Sequence, residues 1–202
     1  MSDGSPLPRA RGPRPAGEDT RAAILAAARA EFAERGYDAT SGRAVARRAG
    51  VDPALVRHYF GTKSDLFAVI NELPGRPGDL LGRVLDTGGP DDIGQRLVAM
   101  FFSVWDTEVG RQRMRALIAA ASSSGPTGGA LAEFLTAELI GAIAPRLAGE
   151  QRELRAELIA ANVVGLAMVR YVLHLEPLAS ASEETIARWL APNIQRLLDG
   201  GP

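Results

Sequence analysis

Apolar side chains recur three and four residues apart along most of this sequence, the spacing that lines one side of an α-helix. Ile24, Ala28 and Phe32 lie four apart with Leu25 beside them, which predicts a first helix over 19–35. Asp19 or Thr20 can cap its start, and Gly36 can end it, because glycine tolerates positive φ. Val45, Ala46 and Ala49 mark the inner side of a second helix, which Ser41 can cap and Gly50 breaks. Asp52-Pro53 opens a third helix over 53–60, since Asp is a good N-cap and proline at the first helical position gives up no needed N–H. Thr62 and Asp65 have the spacing of a capping box, and Leu66, Phe67 and Ile70 carry a fourth helix to about residue 73.

Residues 74–78 are rich in helix breakers, and a short helix is expected at 79–86. Longer stripes follow. Ile93, Leu97, Phe101 and Trp105 align within 92–106; Met114, Leu117, Ile118 and Ala121 within 108–122; Leu131, Phe134, Leu135, Leu139 and Ile143 within 126–147. The longest helix is expected at 150–176 and a last one at 182–198, where Pro192 should introduce a kink. No segment alternates with period two for long enough to be a strand, and there is no internal repeat. The chain is therefore expected to be all-α, with about ten helices.

Residues 41–63 carry the spacing of a helix-turn-helix. Such a pair needs a small residue where the helices approach, a glycine in the turn, and an apolar residue to lock the second helix. Ala46, Gly50 and Val56 fill these places, with Val45, Ala49, Val51 and Phe60 beneath them. At 100° per residue, Val56 and Phe60 pointing inward leave Ala54, Arg57, His58 and Gly61 outward, flanked by Pro53 and Leu55. A short helix with a small residue and Arg/His on its free side suits a DNA major groove. Arg57 can reach guanine edges or a phosphate, and Arg43 and Tyr59 add donors. Lys63 sits at the start of the next helix, where free N–H groups favour an anion such as a DNA phosphate.

Charge supports this placement modestly. The whole chain carries −1, but residues 1–66 balance at +3 and residues 67–202 at −4. A basic head on an acidic body points to a polyanion partner at the head. Residues 1–17 are rich in Pro, Gly and Arg and poor in large apolar side chains, so a disordered tail is expected there. Its Arg9, Arg11 and Arg14 belong either to an irrelevant extension or to a basic arm along DNA.

The run Phe32–Tyr37 (FAERGY), Ala39–Ser41 (ATS), Ala49–Val51 (AGV) and His58–Lys63 (HYFGTK) with Asp65-Leu66 resembles the DNA-binding domain of the tetracycline-repressor (TetR) family of bacterial transcription regulators. The resemblance covers about a quarter of the chain, from Thr20 to Ile70. Softer signals, Tyr171–Leu173 and Glu176–Ala179, are similar to this family's regulatory domains. The resemblance implies DNA contacts at Ser41, Arg43, Pro53, Ala54, Leu55, Arg57 and Tyr59, and a phosphate contact at Lys63; the outward His58 joins this set. Arg57 and Tyr59 depart from the family's usual residues, and Gly42 stands where a larger residue is common, so base preference does not transfer. The implied organisation is a helix-turn-helix DNA-binding domain at 18–66 and a helical regulatory and dimerisation domain at 67–202, acting as a homodimer on a palindromic operator.

Two stripes on the longest helix fit that implication. Leu158, Ala161, Gly165 and Val172 belong to one; Ile159, Leu166 and Val169 belong to the other. A helix this broadly apolar must bury two faces, one of them against a partner. Trp189 and Ile194 on the last helix are expected to join that interface. The resemblance also implies a small apolar or amphipathic effector, with Phe101, Phe102, Trp105, Met114, Phe134, Met168 and Tyr171 as candidate pocket residues beside Met100.

Other chemistries find little support. There is no cysteine and only two histidines, so no metal site or other cofactor is expected. No nucleophile elbow, zinc-protease motif or phosphate loop is present, which speaks against an enzyme. No uninterrupted apolar run reaches 18 residues and no signal-peptide core opens the chain, so the expectation is a cytoplasmic protein without a membrane partner. The remaining alternative is a helical DNA-binding or interaction protein that answers to no effector.

Overall fold

The computed structural model describes residues 16–122 and 125–200. The expected tail lies outside them as far as residue 15; residues 16–17 already belong to the first helix. The head comprises α1 (Ala16–Arg35), α2 (Gly42–Ala49), α3 (Pro53–Phe60) and α4 (Lys63–Ile70). The body comprises α5 (Pro77–Asp86), α6 (Ile93–Trp105), α7 (Glu108–Ala121), α8 (Pro126–Ile143), α9 (Arg152–Ala167) and α10 (Glu183–Asp199). Among the described residues there is no strand, as the all-α pattern requires.

Two buried cores divide the molecule. The head core gathers Ile24, Ala28 and Phe32 of α1, Val45 and Ala46 of α2, Val56 and Phe60 of α3, and Leu66 and Phe67 of α4. The body core gathers Leu97, Phe101 and Phe102 of α6, Ile159 and Leu166 of α9, and Ile186 and Ile194 of α10. Helix α8 serves both: Ala130, Leu131 and Phe134 close the head core, whereas Ala142 and Ile143 enter the body core. The boundary expected between residues 66 and 67 falls inside α4, whose Leu66, Phe67 and Ala68 are buried together in the head.

Two expectations need correction here. Phe134, expected among the pocket residues, is 0% exposed in the head core, where its ring lies 5.1 Å from Tyr37 and 4.7 Å from Phe67. Ile194, expected at the dimer interface, is 0% exposed within its own chain. Its position on α10 turns it toward α6 and α9 rather than outward.

The helix expected at 150–176 is not one α-helix. Gln151 takes a left-handed conformation (φ 54°) before α9, and after Ala167 the chain winds as a π-helix, Met168–Leu173, until His174 (φ 50°) ends it. Pro177 follows closely, and the residue before a proline is biased away from helix. Helix α10 continues through Pro192.

Among the described residues Pro126–Arg146 and Arg152–Leu173 reach the length and mean hydropathy of a membrane span, although neither is an uninterrupted apolar run. Packing accounts for part of that apolarity, since both helices feed the cores. Both also bury charge: Glu138 of α8 pairs with Arg76, and the Arg155 guanidinium of α9 donates to the carbonyls of Ala148, Glu150, Leu197 and Leu198.

Candidate nucleic-acid interface

Every turn of the reading unit is set by local chemistry. The Ser41 hydroxyl accepts from the Ala44 N–H at the start of α2. Gly50 ends α2 with φ 67°, and the Val51 N–H returns to the Ala46 carbonyl at 3.0 Å, a turn that a side chain at position 50 would strain. The Asp52 carboxylate accepts from the Ala54 N–H at 2.7 Å, and Pro53 takes the first helical position of α3. Thr62 and Asp65 form a reciprocal capping box at α4. Burial pushes the Asp65 carboxyl up, but hydrogen bonds from Thr62 and the nearby Arg76 outweigh it and hold the group below its usual range.

With Val45, Ala46, Val56 and Phe60 buried, the opposite side of the unit faces out. Ser41, Arg43, Pro53, Ala54, Leu55, Arg57 and His58 are all exposed. Tyr59 is half-buried: its ring packs against the head core and meets the His58 ring edge-on at 5.5 Å. Arg43 and Arg57 make no side-chain hydrogen bond or ion pair among the described residues.

Lys63 is placed differently from a free phosphate donor. Its ammonium donates to the Tyr37 carbonyl at 3.0 Å and the Asp38 carbonyl at 3.4 Å, and lies 4.2 Å from the centre of the Tyr37 ring. That leaves one N–H of three for an external anion. The Tyr37 hydroxyl shares a 2.7 Å hydrogen bond with Ser64. Burial raises its pKa more than that bond lowers it, so Tyr37 remains a neutral phenol at physiological pH.

Two basic residues escape sequence reasoning. Arg47 is exposed one turn after Arg43 on α2, a spacing of four that the pattern already contains. Arg21 of α1 lies 5.3 Å over the Phe60 ring at the end of α3, a contact that only the fold brings about. Arg48, in contrast, is spent on structure: it pairs with Glu31 and Glu34 and ties α2 to α1. The Arg48 guanidinium, hydrogen-bonded to Glu34, holds that carboxyl below its usual range.

The body offers a second surface. Leu154, Leu158, Val164, Val172 and Leu173 are all substantially exposed along α9 and the π-helix, as is Leu175 just beyond it, and Trp189 on α10 is 76% exposed. Ala161 and Gly165 lie on the same exposed side. Between the two elements runs an open groove of about 570 Å³, lined by Asn162, Gly165, Val169, Leu178, Trp189 and Leu190 among others. A contiguous apolar face of this kind marks an interaction site.

The expected pocket residues are partly gathered. Phe101, Phe102 and Tyr171 are buried together, and Trp105 and Met114 pack against the same core. Asp106 forms a polar edge to this cluster, accepting from the Tyr171 hydroxyl and the Arg170 guanidinium, both at 3.3 Å. Burial, with the Asp106 charge beside it, pushes the Tyr171 pKa up to about 12. Met168 is half-buried at the start of the π-helix. None of the seven expected residues lines the large groove. Nor do they line the smaller cleft of about 310 Å³ where Arg29, Phe32, Phe67, Ile70 and Asn71 of the head meet Thr127 and Ala130 of α8. Among the described residues no cluster of His, Asp and Glu is arranged to hold a metal ion.

Residues 24–70 match the family model described as bacterial regulatory proteins, tetR family, and residues 91–198 match the tetracyclin repressor-like C-terminal domain. An HTH-type transcriptional repressor of Mycobacterium tuberculosis is 37% identical over 151 residues, covering 74% of this chain and 70% of its own. An HTH-type transcriptional regulator of Mycobacterium bovis matches to the same extent. The crystal structure of a TetR-family regulator from Streptomyces coelicolor is 43% identical, covers 93% of this chain and 99% of its own, and superposes with a TM-score of 0.55. A putative regulator from Mesorhizobium loti, 19% identical with a TM-score of 0.50 and covering 92% and 98% of the two chains, agrees in fold alone. A capped helix-turn-helix with an open basic face, matched over both its head and its body, makes this chain a member of the TetR family and a DNA-binding transcriptional regulator.

Proposed function

We propose that the chain is a repressor that binds a palindromic operator as a homodimer and releases it when a small effector binds. The carrying observation is the exposed side of α3, where Ala54, Arg57 and His58 stand free while Val56 and Phe60 are buried. Arg57 and Pro53–Leu55 enter the major groove, while Ser41, Arg43, Tyr59 and Lys63 hold the backbone. One such helix reads only a few base pairs, so a two-fold pair about 34 Å apart is needed for a specific site. The apolar face of Leu158, Ala161, Gly165, Val172 and Trp189 supplies that pairing surface. The setting is the cytoplasm, where operator DNA is found, and the reading assigns no reaction to the chain.

The cluster around Phe101, Phe102, Trp105, Met114, Met168 and Tyr171 takes the effector. Its polar edge at Asp106 and Arg170 suits an amphipathic molecule better than a purely apolar one. Selection from random duplexes, followed by gel shift, tests the first half: a palindrome should be enriched, and enrichment of none would sink the reading. A second reading, a regulator without an effector, is favoured by the closed packing of Phe101, Phe102 and Tyr171. A melting-temperature screen against small amphipathic compounds decides between the two, since an effector of the folded state must raise the melting point.

A further inference from the structure

One peptide group in the head is held at both ends by opposite charges. The Tyr37–Asp38 peptide gives its N–H to the carboxylate of Glu133 at 3.2 Å and its carbonyl to the ammonium of Lys63 at 3.0 Å. The same Glu133 oxygen accepts from the Tyr37 N–H at 2.8 Å. Glu133 belongs to α8 in the body, 95 residues beyond Asp38, whereas Lys63 opens α4 beside the reading helix. A peptide group is planar and stiff. Displacing its N–H end therefore displaces the carbonyl on which Lys63 rests.

The fit around Glu133 is close. A Cβ on Gly36 would lie 2.9 Å from the nearer carboxylate oxygen and would push it aside, and the φ of 79° at this position itself favours glycine. Beside it, the Phe134 ring seats against Tyr37 and Phe67, so α8 grips the turn through adjacent polar and aromatic residues.

We infer that Glu133 is a positioning residue for DNA binding: through the Tyr37–Asp38 peptide it sets where the Lys63 ammonium stands, so that a movement of α8 is felt at the phosphate contact. This rests on the reading of Lys63 as a phosphate ligand. It assigns the body a route to the DNA surface through the α1–α2 turn, separate from the covalent route through α4.

The sign of the effect is diagnostic. Removing a carboxylate from a DNA-binding surface adds one positive charge and by long-range electrostatics alone tightens binding. The inference requires the opposite. The full chain and the duplex selected by the wild type are used, with Glu133→Ala, Glu133→Gln, Lys63→Ala and the Glu133→Ala/Lys63→Ala pair. Glu133→Ala should weaken binding about fivefold and lower the salt slope by about one, as Lys63→Ala does. In the Lys63→Ala background it should change affinity less than about twofold, because the two act as one unit. Glu133→Gln keeps the shape and an accepting oxygen, and should lose about twofold; it carries the test if the alanine variant does not fold. Tighter binding by a folded Glu133 variant, or losses that multiply in the double variant, would overturn the inference while leaving the DNA reading intact. Unchanged affinity in Lys63→Ala takes down the phosphate role of Lys63 and the inference with it.

Discussion

The head and the body of this protein end their helices in different ways. In the head, α2, α3 and α4 are each capped by a side chain within three residues of the helix start: Ser41, Asp52 and Thr62 with Asp65. Among the described residues of the body only α7 and α10 carry such a cap, from Thr107 and Ser182, while α5, α6, α8 and α9 begin without one. Some of their open ends are satisfied from far along the chain instead. Glu138 of α8 accepts from the Gly78 N–H at the start of α5, and Gln195 of α10 accepts from the Gly94 N–H at the start of α6. Arg155 of α9 donates to the last carbonyls of α10. Helix termini leave backbone groups that must find partners. The short helices α2, α3 and α4 find them next door, whereas the starts of α5 and α6 and the end of α10 find them only when the bundle has closed. The reading unit is thus specified segment by segment, and much of the body only through its packing.

The comparison can be broken first where the two regions meet. Phe134 is fully buried against Tyr37 and Phe67, so Phe134→Ala should cost about 4 kcal/mol by lost contact and cavity. Calorimetry should show the head melting ahead of the body; one unchanged transition would mean that Phe134 is not what couples them. Next comes Gly94, whose added Cβ would fall 2.3 Å from the Ala191 carbonyl oxygen of α10. Backbone must shift, and Gly94→Ala should destabilise by about 3 kcal/mol in urea titration. A loss under about 1 kcal/mol would show that the body is looser than its long-range caps suggest.

Smaller effects sharpen the functional side. Trp189→Asp places a charge on the exposed apolar face and should weaken dimerisation by about 2 kcal/mol, or thirtyfold in Kd, with the fold kept. Sedimentation in the analytical ultracentrifuge at falling concentration reads this directly, and an unaltered dimer would move the interface elsewhere. Arg57→Ala should cost about 2 kcal/mol on the selected duplex and little on random DNA; equal losses on both would make Arg57 a backbone contact. Ser41→Ala removes a local cap and should lower stability by about 1 kcal/mol. No change would argue that local capping does not set the head after all.

Legibility in the sequence follows the same division. Gly50, Asp52-Pro53, Gly61 and the Thr62 capping box stand within a few residues of the ends they control, and the expected limits of the third helix, 53–60, are those observed. The π-winding after Ala167 was not legible. There, Arg170 reaches the carbonyls of Leu178 and Ala181 while Arg170 and Tyr171 share Asp106, contacts that no local pattern encodes. Phe134 was misassigned because periodicity shows that a residue is buried but not in which of two cores. Ile194 was misassigned for a related reason: the inner and outer stripes of α10 are both apolar, so composition does not separate them. Among the candidate site residues, those on α2 and α3 follow from facing alone, while the engagement of Lys63 with the 37–38 turn needed the fold.

The Arg155 joint has a consequence for acid. Its four partners are main-chain carbonyls, which do not titrate, and the neighbouring Gln195 cap is also indifferent to pH. The head relies on Asp65, whose pKa is depressed on folding, so its contribution holds above the unfolded value and is lost as pH falls through the folded one. Acidification should therefore weaken the capping box of α4 while the Arg155 joint between α9 and α10 is left unchanged. Acid thus reaches the start of the helix that follows the reading helix before it reaches the fastening of the last two helices.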